Sequence, residues 1–352
     1  MAVRLGLVGC GAIGQKHLQA LVHLDEGQLT ATADSDPERA AAAALPFDAA
    51  SFSSAHELFE SGVVDAVVIA TPSGLHADLA MEAMEQGLDV LVEKPLALSW
   101  EQAAALTQFA DQAGLILAVT HFNRLLPAAA AVLEACRQGR LGRLLSGGVA
   151  IRWSRPAPYF QAAPWRGTRA MDGGMLFNQA VHALDLLVQC LGPAEEVFAY
   201  ADTLTHAIEA EDIVAGTVRF ASGALATVNV TTSVPDRNWE ERITIVGETG
   251  LAVLGPQVTE LATLRTAGGE EVEVVGRLRA AAPLPTWHSH WNALQDFVAA
   301  VETRTVPALA ADTTLDALAL IEALTRSGMT GRAVSLDEVT HRAPEEGGGS
   351  HG

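Results

Sequence analysis

The feature that most constrains the fold lies in the first fourteen residues. Val3-Arg4-Leu5-Gly6-Leu7-Val8 reads as a strand and runs straight into Gly9-Cys10-Gly11-Ala12-Ile13-Gly14, where a helical stretch, Ala12–Leu24, begins. A G-x-G-x-x-G set between strand and helix meets three steric demands. Gly9 permits the tight turn, Gly11 lets the backbone approach a pyrophosphate, and Gly14 lets the helix lie close to the strand. Backbone N–H groups at the helix start then face the phosphates, which makes Gly9, Gly11, Ala12, Ile13 and Gly14 candidate cofactor contacts. Alone, the pattern would also describe a glycine turn in some other α/β protein. The second strand, Leu29–Asp34, narrows the choice by ending in an acid twenty residues after Gly14. A carboxylate there accepts hydrogen bonds from a ribose diol and repels a 2′-phosphate. Ser35 and Asp36 follow rather than an arginine, so NAD is expected over NADP, with Asp34 and Ser35 at the ribose end.

The same alternation continues through the first third. Pro37–Leu45 and His76–Gln86 read as helices, Ala66–Ala70 and Val90–Val92 as buried strands, Trp100–Ala113 as a helix and Leu115–Thr120 as a strand. Strand–helix alternation with short connections predicts an α/β fold with a doubly wound parallel sheet over residues 1–123. After Phe122 the pattern changes. A helix, Ala128–Arg137, leads into the strands Leu144–Trp153, Val197–Tyr200, Ile213–Phe220, Leu225–Thr232 and Arg242–Val246, with a helix at Gly174–Leu191 between the first two. Several of these alternate apolar with polar residues, as half-exposed antiparallel strands do. Residues 124–340 are therefore expected to form an α+β domain on a large, open, mostly antiparallel sheet, closed by helices over Trp291–Ala300 and Thr314–Arg326. Residues 341–352, rich in glycine, are expected as a disordered tail. An open sheet has a second face, commonly covered by self-association, so a homodimer or homotetramer is expected.

Composition excludes some partners. With 22 basic against 42 acidic residues the formal charge is −20, a field that repels nucleic acid and anionic lipid headgroups. No apolar run approaches the ~18 residues a membrane span needs, and because Met1-Ala2 runs straight into the first strand pattern no secretory leader is expected. Cys10, Cys136 and Cys190 are odd in number and lack metal-ligand spacing. They are expected to be reduced, as in a cytoplasmic protein, and no metal site is expected.

Two clusters carry potential chemistry. Glu93-Lys94-Pro95 directly follows the strand Val90–Val92. A lysine at the carboxyl end of a parallel strand points into the crevice where such sheets bind ligands, and its ammonium can stabilise developing alkoxide charge. The second cluster is Asp172-Gly173-Gly174 followed by Asn178, His182 and Asp185 at i, i+4 and i+7. His182 can take an alcohol proton near neutral pH, Asn178 can fix a hydroxyl, and Asp185 can orient the ring. The spacing alone describes equally a polar stripe facing solvent on a helix whose Leu176, Val181, Leu184 and Leu187 face a core.

Taken in order, the glycine motif, Asp34, Thr71-Pro72-Ser73-Gly74-Leu75-His76, Glu93-Lys94-Pro95 and the Gly-Gly…His182…Asp185 helix resemble the Gfo/Idh/MocA oxidoreductases from about Val3 to Leu336. The resemblance implies a Rossmann domain followed by an open-sheet domain, acting on a secondary alcohol of a sugar, sugar derivative or cyclic polyol. It implies Lys94 and His182 as the catalytic pair, and Thr71, Pro72, His76, Glu93, Lys94 and Asn123 as cofactor contacts. Many members carry an aspartate where this chain has Asn178. Pro158-Tyr159-Phe160 and Pro164-Trp165-Arg166-Gly167-Thr168 are similar to a subgroup that oxidises the 3-hydroxyl of UDP-linked amino-sugar acids and related sugars. By that similarity Trp165 and Arg166 reach the cofactor or substrate at the domain boundary; Tyr159, Arg166 and Arg169 are expected with Asn178 and Asp185 around the substrate. Transient oxidation within a lyase or glycosidase cycle, and a ligand-sensing regulator without turnover, are the competing functions for this fold.

Overall fold

Buried apolar runs build the first sheet. In the computed structural model, which describes residues 2–257, 260–266, 285 and 287–341, β1 (Val3–Val8), β4 (Ala66–Ile69) and β5 (Asp89–Val92) lie side by side, with β4 and β5 buried along their whole length. They are flanked by β2 (Gly27–Ala33), β3 (Ala50–Phe52) and β6 (Leu117–Val119) in the order β3-β2-β1-β4-β5-β6. Every pairing is parallel. The helices between them are α1 (Ala12–Leu21), α2 (Pro37–Ala44), α3 (Ala55–Glu60), α4 (His76–Glu85) and α5 (Trp100–Ala113). Local chemistry sets their ends. Asp36 caps α2 ahead of Pro37, Ser99 caps α5, and Gly114 closes α5 at φ +67°, a left-handed conformation glycine adopts without steric cost. Strand order reverses between β1 and β4, and the crevice at the carboxyl ends there is where open α/β sheets take ligands.

Beyond α6 (Pro127–Arg137) the chain forms an eight-stranded sheet. Its strands are β7 (Leu144–Arg152), β8 (Ala194–Asp202), β9 (Ile213–Phe220), β10 (Leu225–Thr231), β11 (Glu240–Gly247), β12 (Leu251–Leu254), β13 (Leu261–Arg265) and β14 (Val334–Ser335), ordered β13-β12-β11-β7-β10-β9-β8-β14. Only β7 and β10 pair in parallel; the other pairings are antiparallel. A short helix, α7 (Ala157–Gln161), follows β7. One face of the sheet is covered by α8 (Val181–Leu191) and α10 (Leu315–Thr330), which bury Leu184, Leu187, Leu320 and Leu324. On strands of the opposite face Tyr200 and Leu225 are exposed.

Two features depart from the sequence pattern. The helix expected from Gly174 is displaced: Gly173 and Gly174 hold φ +76° and +94°, a π-helical turn spans Leu176–Ala180, and regular α-helix begins only at Val181. A Cβ on Gly174 would stand 2.7 Å from the Glu211 carboxylate, so close approach as well as backbone conformation requires glycine there. The second feature is α9 (His288–Thr303), which follows the second sheet in sequence yet packs Leu294, Phe297 and Val298 against Leu5 and Leu7 of β1 and Leu18 and Leu21 of α1. The expected tail from 341 lies outside the described residues except for His341. No helix among the described residues is long and apolar enough to cross a membrane.

Candidate active site

The glycine turn is built as its spacing demands. Gly9 sits at φ +91° with Ala70 O only 2.6 Å from where a Cβ would be, and a Cβ on Gly14 would stand 2.1 Å from Gly9 O. Gly11 has nothing within 4 Å of that position, and Ala12 and Ile13 open α1 exposed beside it. Asp34 is buried, with Oδ2 accepting from Cys10 N at 2.8 Å and Oδ1 from Asp36 N at 2.9 Å. Arg39 reaches both Asp34 and Asp36, at 3.4 and 3.2 Å, while Ser35 is exposed. On the other side of the crevice, His76 spans two loops. Its ring nitrogens lie 2.9 Å from Thr71 O and 2.7 Å from Pro95 O, tying the segment after β4 to the segment after β5. Thr71 Oγ1 is buried without a hydrogen-bond partner.

The Lys94–Pro95 peptide is cis, and Lys94 N donates to Thr120 Oγ1 at 3.1 Å. Its ammonium crosses to the π turn, donating to Asn178 O at 2.7 Å and Asn178 Oδ1 at 3.2 Å. Asn178 Nδ2 in turn donates to Asp172 Oδ1, and Asp172 Oδ2 accepts from Gly167 N. Burial lowers the Lys94 pKa, opposed by the charges of Glu93 and Asp172. Burial likewise raises that of Asp172.

The His182 ring packs edge-on to His121, with centroids 5.6 Å apart, and lies 5.0 Å from the Phe122 ring. Burial, then the neighbouring Lys94 and His121 charges, hold His182 well below the usual histidine range. Its Nδ1 has no partner. The wider π turn offsets the residues before it from those after it. As a result the i, i+4, i+7 set meets different partners: Asn178 meets Lys94, His182 meets His121 and Phe122, and Asp185 meets Arg124 and, at 3.7 Å, the His121 ring that packs against His182. The structure does not bring Asp185 to the ring of His182.

A third group approaches from the loop after β7. Arg155 lies over the rings of Trp153 and Tyr159, at 4.7 and 5.3 Å, and donates to Gln179 Oε1 at 2.9 Å. Arg166 lies over Tyr159 at 4.1 Å and Trp165 at 5.5 Å, and its Nε is buried without a partner. Gln179 Nε2 donates to the Tyr159 hydroxyl. Arg155, Phe160, Asp172, Asn178 and Gln179 line one common cavity. Arg169 is directed elsewhere: it is exposed and reaches Met329 Sδ at 3.7 Å, on the far side of Glu211.

Comparison with known proteins fits this construction. Residues 3–121 match the oxidoreductase family with an NAD-binding Rossmann fold, and residues 129–253 match the GFO/IDH/MocA C-terminal domain. The chain belongs to the GFO/IDH/MocA oxidoreductase family. Among solved members it is similar to the WlbA dehydrogenase of Bordetella pertussis in complex with NADH and UDP-GlcNAcA, at 35% identity, covering 95% of this chain and 99% of that one with a TM-score of 0.85. The corresponding enzyme of Chromobacterium violaceum, also with NADH and UDP-GlcNAcA, is 34% identical over 95% and 96% of the two chains, with a TM-score of 0.87. The 1,5-anhydro-D-fructose reductase of Ensifer adhaerens is 29% identical over 95% of this chain and 98% of its own.

Within this GFO/IDH/MocA chain, sequence reasoning singled out Lys94, Asn178, His182, Tyr159, Trp165 and Arg166; the ammonium of Lys94 meets Asn178, and Arg166 lies over Tyr159 and Trp165. That reasoning missed His17, His121 and the Arg155–Gln179 contact. His121 carried a signal, since it follows β6 by two residues, at the carboxyl end of a parallel strand. The Arg155–Gln179 contact carried none, because it joins residues far apart in sequence.

Proposed function

We propose that this protein is an NAD-dependent dehydrogenase acting on a secondary alcohol of an anionic sugar, a UDP-linked sugar acid first among candidates. The observation that carries this reading is the Lys94–Asn178–Asp172 chain beside a neutral His182 and two arginines that form no ion pair among the described residues. The glycine cradle fits NAD: open space over Gly11, an exposed first turn of α1, the Asp34 carboxylate at the ribose end, and an unpartnered Thr71 Oγ1. Bound there, NAD supplies the hydride acceptor. Gly9, Gly11, Ala12, Ile13 and Gly14 would hold the pyrophosphate. Asp34 would hold the ribose, and Thr71, Pro72, His76, Glu93, Asn123 and Trp165 would line the nicotinamide side. Arg39 is held by Asp34 and Asp36, which supports NAD over NADP.

The chain's own groups then divide the work. Lys94 donates to the reacting oxygen and stabilises charge as it develops. His182, held neutral by burial and the Lys94 charge, accepts the hydroxyl proton. In reduction the same low pKa makes its protonated form a strong donor. Asn178 fixes the ammonium. Arg155 and Arg166 make no ion pair with a carboxylate among the described residues, in a chain with 42 acidic side chains. Guanidiniums left in that condition are suited to a carboxylate or phosphate on the ligand. That the WlbA relatives were solved with UDP-GlcNAcA supports the same class.

The domain division at 123/124, a cytoplasmic location and a homodimer formed through the open face of the eight-stranded sheet belong to the same proposal. The test is NADH formation with NAD or NADP and a panel of UDP-sugar acids, UDP-sugars, free sugars and inositols, with mass measured in solution by light scattering. Turnover of neutral inositols with no response to any anionic sugar would refute the substrate class. Silence with every member despite NADH binding would refute the dehydrogenase.

A further inference from the structure

Beneath Lys94 lies a polar cluster whose two histidines the proposed reaction does not use, and whose carboxylate it uses only as a cofactor contact. His17 from α1, Glu93 from the loop after β5 and His290 from α9 are 0%, 5% and 7% exposed. His17 Nε2 is 2.8 Å from Glu93 Oε1, and His290 Nε2 is 3.7 Å from the same oxygen. The two imidazoles meet edge to face with centroids 4.9 Å apart. The other carboxylate oxygen, Oε2, accepts from Lys94 N at 3.3 Å. One side of Glu93 thus faces two histidines from distant parts of the chain, and the other holds the peptide of the lysine.

A carboxylate this deeply buried is costly unless it is paired. Burial pushes Glu93 up. The His17 hydrogen bond and the nearby His17, His290 and Lys94 charges outweigh it and leave Glu93 below the usual carboxylate range. Around Lys94 the facing charges are Glu93, Asp172 and Arg155; around His290 they are Glu93, His17, Lys16 and Lys94. His121 and His182 stand on the far side, with the Phe122 ring 5.0 Å from both His290 and His182.

We propose that His17 and His290 are positioning residues for Lys94: through Glu93 they fix the lysine's peptide and keep a negative charge beneath its ammonium. The proposal rests on the reading of Lys94 as a catalytic residue. It makes the lysine a reporter of how α1, which starts at the glycine turn, and α9, which returns from the second sheet, close on the β5 loop. Removing either imidazole leaves Glu93 less well held and easier to protonate. Removing the charge of Glu93 takes away the nearest group favouring the ammonium, so Lys94 loses its proton at lower pH.

The experiment is competitive acylation of Lys94 against pH, followed by peptide mass spectrometry, on the full chain and on Glu93→Gln, His17→Asn and His290→Asn. Thermal unfolding, NADH affinity and metal content are measured on the same samples. The half-titration of Lys94 is expected to move to lower pH in Glu93→Gln, and in the same direction by less in both histidine variants. Turnover of UDP-GlcNAcA should fall about 10–100-fold, as expected when a reacting group shifts by about an ångström, with KM changing less than kcat. If His17→Asn does not fold, Glu93→Asp carries the same readout. It keeps the charge but withdraws it from the imidazoles, and the lysine titration should again move down. Variants that unfold earlier while Lys94 titrates as in the wild type would overturn the proposal. So would one equivalent of bound zinc lost on His17→Asn, since the three side chains would then be ligands. If Lys94→Met turns over normally, the catalytic reading falls and this proposal with it. If Lys94→Met is inactive but the titration is unmoved, this proposal alone falls.

Discussion

Replacing Asp185 separates two roles that its sequence position leaves open. The carboxylate is 1% exposed and bonded to Arg124 through Nε at 2.7 Å and Nη2 at 2.5 Å, with Arg124 itself 7% exposed. Arg124 also reaches Thr313 through Oγ1 and the carbonyl, so the pair pins the start of α10 to the loop after β6. Asp185→Asn keeps the shape and an acceptor but strands a buried guanidinium without its counter-charge. Breaking a buried pair on one side costs about 3–5 kcal/mol. At about 2 °C per kcal/mol for a chain of this size, unfolding should come ~6–10 °C earlier in a thermal scan. Because Asp185 faces Arg124 directly and reaches His182 only through His121, which it approaches at 3.7 Å, turnover per folded molecule should change only a few-fold. Arg124→Met combined with Asp185→Leu should recover much of the lost stability, since an apolar pair of similar volume leaves no charge to compensate. A thermal shift below about 2 °C together with a loss of turnover beyond about 100-fold would refute this assignment and return Asp185 to the ring of His182.

Further predictions test the cleft and the core. Lys94→Met should lower kcat by about 10²–10³ while NADH affinity, read by fluorescence titration, stays within a few-fold. Gly14→Ala forces a Cβ to 2.1 Å from Gly9 O, so NADH binding should be lost and stability should fall by about 1–3 kcal/mol. Asp34→Ser removes the charge proposed to face the ribose, and the ratio of NADP to NAD turnover should rise at least about tenfold; an unchanged ratio would place discrimination elsewhere. Burial pushes Glu241 up to about 7 from 4.5. The folded state therefore binds more protons than the unfolded one between those values, and stability falls as pH rises through that window. Glu241→Gln should raise the unfolding temperature at about pH 8 and leave it nearly unchanged below the unfolded value.

Much of the fold was legible because β1, β4 and β5 are apolar runs bounded by glycine or helix caps, and the half-exposed strands β9 and β10 alternate cleanly. β3 and α3 were not legible: β3 is three residues with no buried position, so neither periodicity nor apolar content marks it. The start of the helix at Gly174 was misjudged because helical spacing does not reveal two consecutive positive-φ glycines. Of the cleft, Lys94 and His182 were visible through motif context. His17 and His290 carried a fainter signal. His17 shares the buried face of α1 with Gly14, Leu18 and Leu21, and His290 shares that of α9 with Leu294, Phe297 and Val301. A histidine on an otherwise apolar face asks for a buried partner. Which carboxylate answers it, across α1, the β5 loop and α9, is a tertiary fact that no local pattern holds.

The asparagine at 178 illustrates how such tertiary facts alter chemistry. A carboxylate in direct contact with Lys94 would pair with the ammonium and compete with a substrate oxygen for its protons. Here the amide oxygen and the backbone carbonyl of Asn178 take two of the ammonium's donors without adding charge, and an ammonium has three. The carboxylate is displaced one residue outward, to Asp172, which holds the amide by accepting from its Nδ2. Asp172 still supports the charged lysine at longer range, and its own burial keeps it from being a strong competitor. The π turn brings the carbonyl and side chain of Asn178 to one ammonium, while His182, past the turn, faces the other wall beside Phe122. Lysine and histidine thus reach the cleft from two sides, each held by neutral contacts. In the proposed mechanism the third donor of Lys94 goes to the substrate.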